Sequence, residues 1–144
     1  MNNNIDPMVS VFMMAYNHEN YIEQAISSVL MQKTNFEFKI VIGEDCSTDK
    51  TREVIQQFSS THPEKFILLF HNPNIGAWAN QFDILSNCIG KYIAICESDD
   101  YWTDVDKLQK QVDFLESHPD FSMVFTNRQI LQPDQRYSSV RSHP

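Results

Sequence analysis

Apolar runs separated by polar and amphipathic stretches set the pattern of this chain. Four runs have the length and the β-branched and aromatic content of buried strands. They predict strands over Met8–Ala15, Phe36–Ile42, Phe66–Phe70 and Lys91–Cys96. Phe121–Phe125 has the same character and predicts a fifth strand.

Between these runs the apolar residues recur at helical spacing. A first helix is predicted in which one face carries Tyr21, Ala25, Ile26, Val29 and Leu30. Further helices are predicted over about Asp49–Ser60, Ala77–Cys88 and Val105–Ser117. Strands and helices therefore alternate, which predicts an α/β fold with a mostly parallel sheet flanked by helices. Ligands bind beyond the carboxyl ends of the strands in such sheets, so the loops after the first four strands are candidate binding loops.

Composition limits the class of protein and its partners. The length of 144 residues fits one domain over 1–144, with a polar segment, 132–144, that predicts a loop or a disordered tail. A net charge of −8 argues against nucleic acid as a partner. Three cysteines without C-x-x-C spacing indicate reduced thiols in a cytosolic protein. No apolar run approaches the ~20 residues of a membrane-spanning helix, and the first residues lack a signal-peptide core.

Three carboxylates, those of Glu97, Asp99 and Asp100, crowd the end of the fourth predicted strand. Like charges this close repel one another, and a chain tolerates them most easily where a cation binds. Mg²⁺ and Mn²⁺ take oxygen ligands, and Mg²⁺ is often held by one or two carboxylates plus substrate phosphates. The alternative is that these residues cap the start of the next helix, because Asp and Ser are common cap residues, but Asp104 can provide that cap instead. The pattern, with Ser98 inside it, therefore predicts a metal-dependent site for a phosphate-containing ligand.

Glu44 and Asp45 end the second predicted strand in the same manner, and Ser47 follows them. Carboxylates at this position can accept hydrogen bonds from the N–H of a base or from ribose hydroxyls. The alternative is that they supply favourable charge at the start of the next helix, which Ser47 or Thr48 can cap.

The loop after the first predicted strand opens with Ala15, Tyr16 and Asn17. Tyr16 is either part of the core or a flat ring on which a nucleobase stacks. Asn17 and Asn20 are also of the residue type that caps the following helix.

The loop after the third predicted strand carries Asn74 and Gly76, with Asn80 just downstream. Gly76 either supplies a positive φ or a close contact between helix and sheet, or it lets the backbone approach a ligand.

Several common catalytic signatures are missing from the sequence. The five histidines show no HxxxH or HExxH spacing, which argues against a zinc site. The absence of GxSxG disfavours a hydrolase, and the absence of GxGxxG and GxxxxGK[ST] disfavours a dinucleotide fold and a P-loop.

Four motifs in this order resemble the family 2 glycosyltransferases, which have the GT-A fold. Residues 9–17, VSVFMMAYN, are similar to the family's opening strand and Tyr-Asn turn. Residues 44–51, EDCSTDKT, resemble its Asp-Asp-Gly-Ser-Thr-Asp-x-Thr segment. Residues 74–80 resemble its Asn-x-Gly element with a downstream Asn, and residues 90–100 resemble the strand that leads into its DxD metal motif. The resemblance extends over about residues 9–125.

The resemblance implies that these loops bind a nucleotide-diphospho-sugar, with a UDP-sugar favoured. Ala15 and Tyr16 would lie against the base, Asp45 would accept a hydrogen bond from it, and Glu97 would lie near the ribose. The full donor-binding set implied is Ala15, Tyr16, Asn17, Glu44, Asp45, Ser47, Asn74, Gly76, Asn80, Glu97, Ser98, Asp99 and Asp100.

The resemblance also implies a metal and a reaction. Asp99 would bind Mn²⁺ or Mg²⁺ that bridges the diphosphate, and Asp100 would support the metal or nearby hydroxyls. The metal neutralises the leaving diphosphate. The family implies inverting transfer of a sugar to a glycan or lipid-linked acceptor, in bacterial surface-polysaccharide synthesis at the cytoplasmic face of the membrane.

The chain departs from the family pattern at several positions. Glu44 and Glu97 stand where Asp is more usual, which keeps the charge and extends the reach. Cys46 stands where Gly is usual, so we expect this turn to do without a positive φ. No acid after Asp99 matches the family's general base, so we expect the base to lie beyond Pro144. The 144 residues are then expected to bind donor and metal but to transfer sugar poorly.

Two other classes of protein remain as alternatives. A nucleotidyltransferase would normally carry a Gly-rich loop with Arg and Lys after the first strand, and Ala15-Tyr16-Asn17-His18-Glu19 has neither. A non-catalytic nucleotide-sugar-binding module would keep the loops and lack turnover.

Overall fold

A computed structural model describes residues 6–132, in which strands and helices alternate. The strands are β1 (Val9–Ala15), β2 (Phe38–Glu44), β3 (Phe66–Phe70) and β4 (Tyr92–Ile95). The predicted tail lies, apart from Gln132, outside the described residues.

One α-helix follows each strand. The helices are α1 (Ile22–Leu30), α2 (Thr51–Thr61), α3 (Ala77–Asn87) and α4 (Lys107–Ser117), and a short 3-10 helix, Pro63–Lys65, precedes β3. None of the helices within residues 6–132 is both long and apolar enough to cross a membrane.

The four strands form one parallel sheet in the order β3-β2-β1-β4. This arrangement confirms the predicted α/β fold. All four carboxyl ends lie at one edge, which places the loops that follow the strands side by side. β2 runs two residues further than predicted, so Glu44 is a strand residue paired with Ala15.

Helices cover both faces of the sheet. On one face, β-branched and aromatic residues of β1 and β2 pack with α1 and with Ile55, Leu108 and Val112. On the other face, Phe12 and Val41 pack against Ile84 of α3.

Gly43 explains how closely α3 approaches β2. A Cβ at this position would lie 1.9 Å from Oδ1 of Asn80 and 2.6 Å from Cγ1 of Ile84. Any side chain there would push the helix away from the sheet, so Gly43 sets the spacing between β2 and α3.

Contacts divide the chain into two compact units, residues 1–112 and 113–144. The sheet and its carboxyl edge belong to the first unit. The prediction of a single domain over 1–144 stays a prediction.

The predicted fifth strand, Phe121–Phe125, is wrong, because these residues form no strand. The N–H of Phe121 donates to the carbonyl of His118, so a turn stands where the strand was expected to begin. The Phe121 ring lies edge-on against Phe114 at 5.5 Å between centroids. Phe125 is 83% exposed. An apolar run indicates that a segment needs contacts, but a strand also needs a partner for its backbone groups, which the run does not specify.

Candidate functional site

Four loops follow the carboxyl ends of the strands and form the candidate site. We call them the β1 loop (16–21), the β2 loop (45–50), the β3 loop (71–76) and the β4 loop (96–106). Ladder-like hydrogen bonds continue into three of them, the β2, β3 and β4 loops. The N–H of Asp45 donates to the carbonyl of Ala15 at 3.0 Å, and the N–H of His71 donates to that of Glu44 at 3.0 Å. The first residues of the β2 and β3 loops are therefore placed by the sheet.

Reciprocal hydrogen bonds join the β1 and β2 loops. The N–H of Asn17 donates to Oγ of Ser47 at 3.0 Å, and the N–H of Thr48 donates to Oδ1 of Asn17 at 2.8 Å. Asn17 has a φ of 54°, a left-handed conformation that Asn tolerates better than most residues. Asn17 and Ser47 therefore hold two loops together.

The predicted helix caps at these residues are wrong. The residue before α1 is Tyr21 and the residue before α2 is Lys50, and neither forms a side-chain cap. Asp49 instead accepts the N–H of Thr51 at 2.9 Å. The side chains of Asn17 and Ser47, which are of a type that suits a cap, instead form hydrogen bonds between the β1 and β2 loops.

Glu44 is completely buried and links three segments. One carboxylate oxygen accepts the N–H of Ser47 at 2.6 Å, and the other pairs with Nε of Arg52. Arg52 also donates to the carbonyl of His71 at 2.7 Å and lies 5.0 Å from the centroid of the Phe70 ring. The carboxylate of Glu44 therefore organises the β2 loop from beneath.

The carboxylate of Asp45 connects the β2 and β3 loops. It accepts the N–H groups of Ile75 at 2.7 Å and Gly76 at 2.9 Å, and Nδ2 of Asn74 donates to the carbonyl of Asp45 at 2.7 Å. Gly76 has a φ of 87°, which favours glycine over any other residue. The predicted residues of these two loops are therefore brought together.

Cys46 corrects one expectation about the β2 loop. Its φ is 60°, so the turn keeps the left-handed conformation although it has no glycine there. Glu44 and Asp45 on one side and Ser47 on the other are all held by hydrogen bonds, and this fixes the turn between them.

Asn80 lies in the core between α3 and the sheet. It is 1% exposed, its Nδ2 donates to the carbonyl of Gly43 at 2.9 Å, and its Oδ1 lies 3.2 Å from Nε2 of His71. Asn80 thus satisfies a backbone acceptor at the end of β2 and supports the β3 loop from below.

Ala15 is buried at the end of β1, whereas the next residue, Tyr16, is 45% exposed. The Tyr16 side chain therefore presents surface at the carboxyl edge, which agrees with the alternative of a ring available for stacking.

The acidic β4 loop alternates buried and open residues. Ser98 is completely buried and Glu97 is half-buried, whereas Asp99 and Asp100 are exposed. The N–H of Asp100 donates to the carbonyl of Glu97 at 3.0 Å, which closes a tight turn. Burial raises the pKa of Glu97, the charges of Asp99 and Asp100 raise it further, and His18 opposes the shift.

The residues of the β4 loop fit one kind of metal site only. Within residues 6–132, no three His, Cys, Asp or Glu side chains converge to hold a metal ion. Neither Asp99 nor Asp100 has a side-chain hydrogen bond or an ion pair to that part of the chain, so both carboxylates are available. This arrangement does not fit a cage made of protein ligands alone, but it fits Mg²⁺ or Mn²⁺ that takes most of its ligands from phosphates and water.

Three residues of the site were missed at the sequence level. Arg52 stands in the first turn of α2, eight residues after Glu44, and a cation that close to two strand-end carboxylates was an available signal. His18 contacts Ser98, and Thr51 accepts the N–H of His18 at 2.8 Å. Histidine spacing bears only on a zinc site, and the family motif in residues 44–51 includes Thr51 without indicating that it bonds to the β1 loop.

Comparison with curated proteins finds relatives of similar sequence. The chain is 38% identical over 126 residues to an uncharacterized protein of Mycobacterium tuberculosis, covering 88% of this chain and 36% of that protein. It is 38% identical over 112 residues to the putative teichuronic acid biosynthesis glycosyltransferase TuaG of Bacillus subtilis, covering 78% of this chain and 43% of TuaG. The chain thus spans roughly two fifths of the length of these relatives.

Solved structures share the fold. The mannosyltransferase PcManGT from Pyrobaculum calidifontis, in complex with GDP-Man and Mn²⁺, superposes with a TM-score of 0.67 at 23% identity, over 78% of this chain and 33% of that chain. TarS of S. aureus in complex with UDP-GlcNAc superposes with a TM-score of 0.67 at 25% identity, over 77% of this chain and 32% of that chain.

The family profile for Glycosyl transferase family 2 matches residues 10–142, which include all four loops and all four strands apart from Val9. The sheet order, the loops at its carboxyl edge and this match agree with the resemblance found in the sequence. The chain belongs to glycosyl transferase family 2 and has the GT-A fold.

Proposed function

We propose that this chain is the nucleotide-sugar-binding part of a glycosyltransferase of cell-surface polysaccharide synthesis. Family membership supports glycosyl transfer, and the similarity to TuaG, named for teichuronic acid biosynthesis, supports the pathway class. The observation that carries the proposal is the β4 loop, which presents two free carboxylates at the edge where three other loops converge.

The base and ribose of the donor fit the β1, β2 and β4 loops. Tyr16 offers an exposed ring for stacking. Asp45 is only 3% exposed and is committed to two backbone N–H groups, so a base would have to reach the second lone pair that each of its oxygens keeps. Glu97 lies half-buried where ribose hydroxyls can donate to it, and the same hydrogen bonds would stabilise its ionised form.

Asp99 is the residue that we propose to hold Mn²⁺ or Mg²⁺, with Asp100 in support. When bound, the cation supplies neutralising charge to the diphosphate as it leaves. The chain's own part is to hold exposed acids on a tight turn beside a buried serine. We propose inverting transfer, with a UDP-sugar as the favoured donor and a glycan or lipid-linked hydroxyl as the acceptor.

Calorimetry with UDP, GDP and dTDP, each with and without Mn²⁺, tests the proposal. We expect Mn²⁺ to tighten UDP binding by about tenfold or more, or about 1.4 kcal/mol. Asp99→Asn should remove that gain. Glu64→Gln removes one negative charge from an exposed residue at the opposite edge of the sheet, before β3, and should keep the gain. Binding that ignores both the metal and Asp99, or no binding of any of the three nucleotides, would refute the proposal.

A further inference from the structure

A chain of two hydrogen bonds ties the β4 loop to β1. Oγ of Ser98 donates to the carbonyl of Met14 at 2.7 Å, and Nδ1 of His18 lies within hydrogen-bond distance of the same oxygen. A serine has one hydroxyl hydrogen, and a carbonyl cannot donate. Both bonds therefore exist together only if Nδ1 of His18 carries a hydrogen and donates it to Ser98.

His18 is itself held in place by the neighbouring loops. The backbone N–H of His18 donates to Oγ1 of Thr51 at 2.8 Å, and the side chains of Thr51 and Ser98 are both completely buried. The backbone of His18 is thus fixed from α2, while its ring reaches the β4 loop. The ring is partly exposed, so it lies at the border between the core and the site.

Ser98 is the residue between the two acids that matter most for the proposed donor site. Glu97 precedes it and Asp99 follows it, so the position of Ser98 bears on both carboxylates. Anchoring the one buried side chain of this turn fixes the direction in which both carboxylates leave the backbone. Without the anchor, a bound metal and nucleotide would have to order the loop at a cost in affinity.

We infer that His18 is a positioning residue that presents the β4 carboxylates through its Nδ1–H···Ser98 hydrogen bond. This inference rests on the proposed function, because its consequence is metal-assisted binding of a nucleotide diphosphate. In this role His18 contacts neither the metal nor the nucleotide. It acts on Ser98, and Ser98 sets the loop.

Substitutions of His18 separate positioning from a general structural role. Asparagine places its amide nitrogen near the position of Nδ1, whereas glutamine places it further out. UDP is the probe, and the readout is the factor by which Mn²⁺ tightens its binding. His18→Ala and His18→Gln should lower this factor by about tenfold, and His18→Asn should retain most of it. UDP binding without metal should stay within about twofold of the wild-type value in all three variants. His62→Ala, at the end of α2 remote from the loops, is the control and should match the wild type.

A spectroscopic measurement checks the geometry independently of binding. Long-range ¹H–¹⁵N NMR of the His18 ring should show a hydrogen on Nδ1 at neutral pH, and Ser98→Ala should remove this preference. A hydrogen on Nε2 alone in the wild type would overturn the inference. So would His18→Ala that keeps the full Mn²⁺ effect, or His18→Asn that binds no better than His18→Gln. Failure of the wild type to bind any of UDP, GDP and dTDP in the presence of Mn²⁺ would instead refute the proposed function.

Discussion

Arg52→Met should destabilise the protein more than Glu44→Gln, although both substitutions break the same ion pair. Glu44 is completely buried, whereas the Arg52 side chain is 30% exposed. Removing the arginine leaves a buried carboxylate with one N–H partner, that of Ser47. Removing the charge of Glu44 leaves a guanidinium that water can reach and that keeps its bond to the carbonyl of His71.

Typical free energies for buried charges and for charged hydrogen bonds set the size of both effects. An uncompensated buried charge costs about 3–5 kcal/mol, which is a third or more of the stability of many small domains. Glu44→Gln loses a hydrogen bond between charged groups, about 1.5–3 kcal/mol, and we expect the lower end because the amide still accepts from Ser47. Introducing Glu44→Gln into the Arg52→Met variant should therefore recover at least ~1 kcal/mol, since it removes the stranded charge.

Urea unfolding followed by circular dichroism measures these differences by linear extrapolation. Lys110→Met is the control. It breaks the ion pair with Asp104, in which both side chains are well exposed, and should leave the unfolding midpoint unchanged. The reasoning is refuted if the double variant is less stable than Arg52→Met, or if Glu44→Gln is the more damaging single change.

Three further predictions concern single residues. Cys46→Gly should stabilise the protein by up to about 1 kcal/mol, because φ at this position is 60°. Cys88→Gly is the control and should destabilise the protein, because φ there is −79°. Thermal unfolding checks both variants, and a lower stability in both would contradict the reasoning. Gly43→Ala should cost about 1–3 kcal/mol or more in a urea titration, because its Cβ would collide with α3. Gly76→Ala meets nothing within 4 Å and should cost about 1 kcal/mol through its φ alone, so equal losses would exclude the packing explanation. Burial raises the pKa of Glu97 in the folded state, so its charge destabilises the protein at neutral pH. This penalty shrinks as the pH falls through the raised pKa and is gone below the ordinary value of 4.5. Glu97→Gln should thus raise the free energy of unfolding at neutral pH but not in acid, and a gain that persists below about pH 4 would exclude the charge as its cause.

Sequence patterns predicted the four sheet strands to within two residues at each end. For β1 and β2 the reason is that they are almost entirely buried, so their apolar runs mark the core. The prediction that β3 and β4 are buried is wrong in degree, because β3 is half-buried and β4 leaves Ile93 and Ile95 exposed. The same reasoning failed for Phe121–Phe125, because an apolar run does not specify a pairing partner.

The positions of the site loops were also predictable, but their internal contacts were not. Alternating strands and helices place the loops at one edge whatever their sequence. One sequence does not show whether Asn17 caps a helix or bonds Thr48, 31 positions away. Nor does it show whether Glu44 faces a ligand or Arg52, eight positions away. His18 shows the same limit, because its partner Ser98 lies 80 positions away.

The reciprocal bonds between Asn17 and the Ser47–Thr48 pair also bear on how these enzymes can be recombined. A chimera that takes the β1 loop from one relative and the β2 loop from another combines hydrogen-bond donors and acceptors that evolved in different proteins. Two backbone N–H groups then lose their partners at once. Residues 16–21 and 45–50 therefore form one structural unit, and an exchange of loops between relatives should move both segments together.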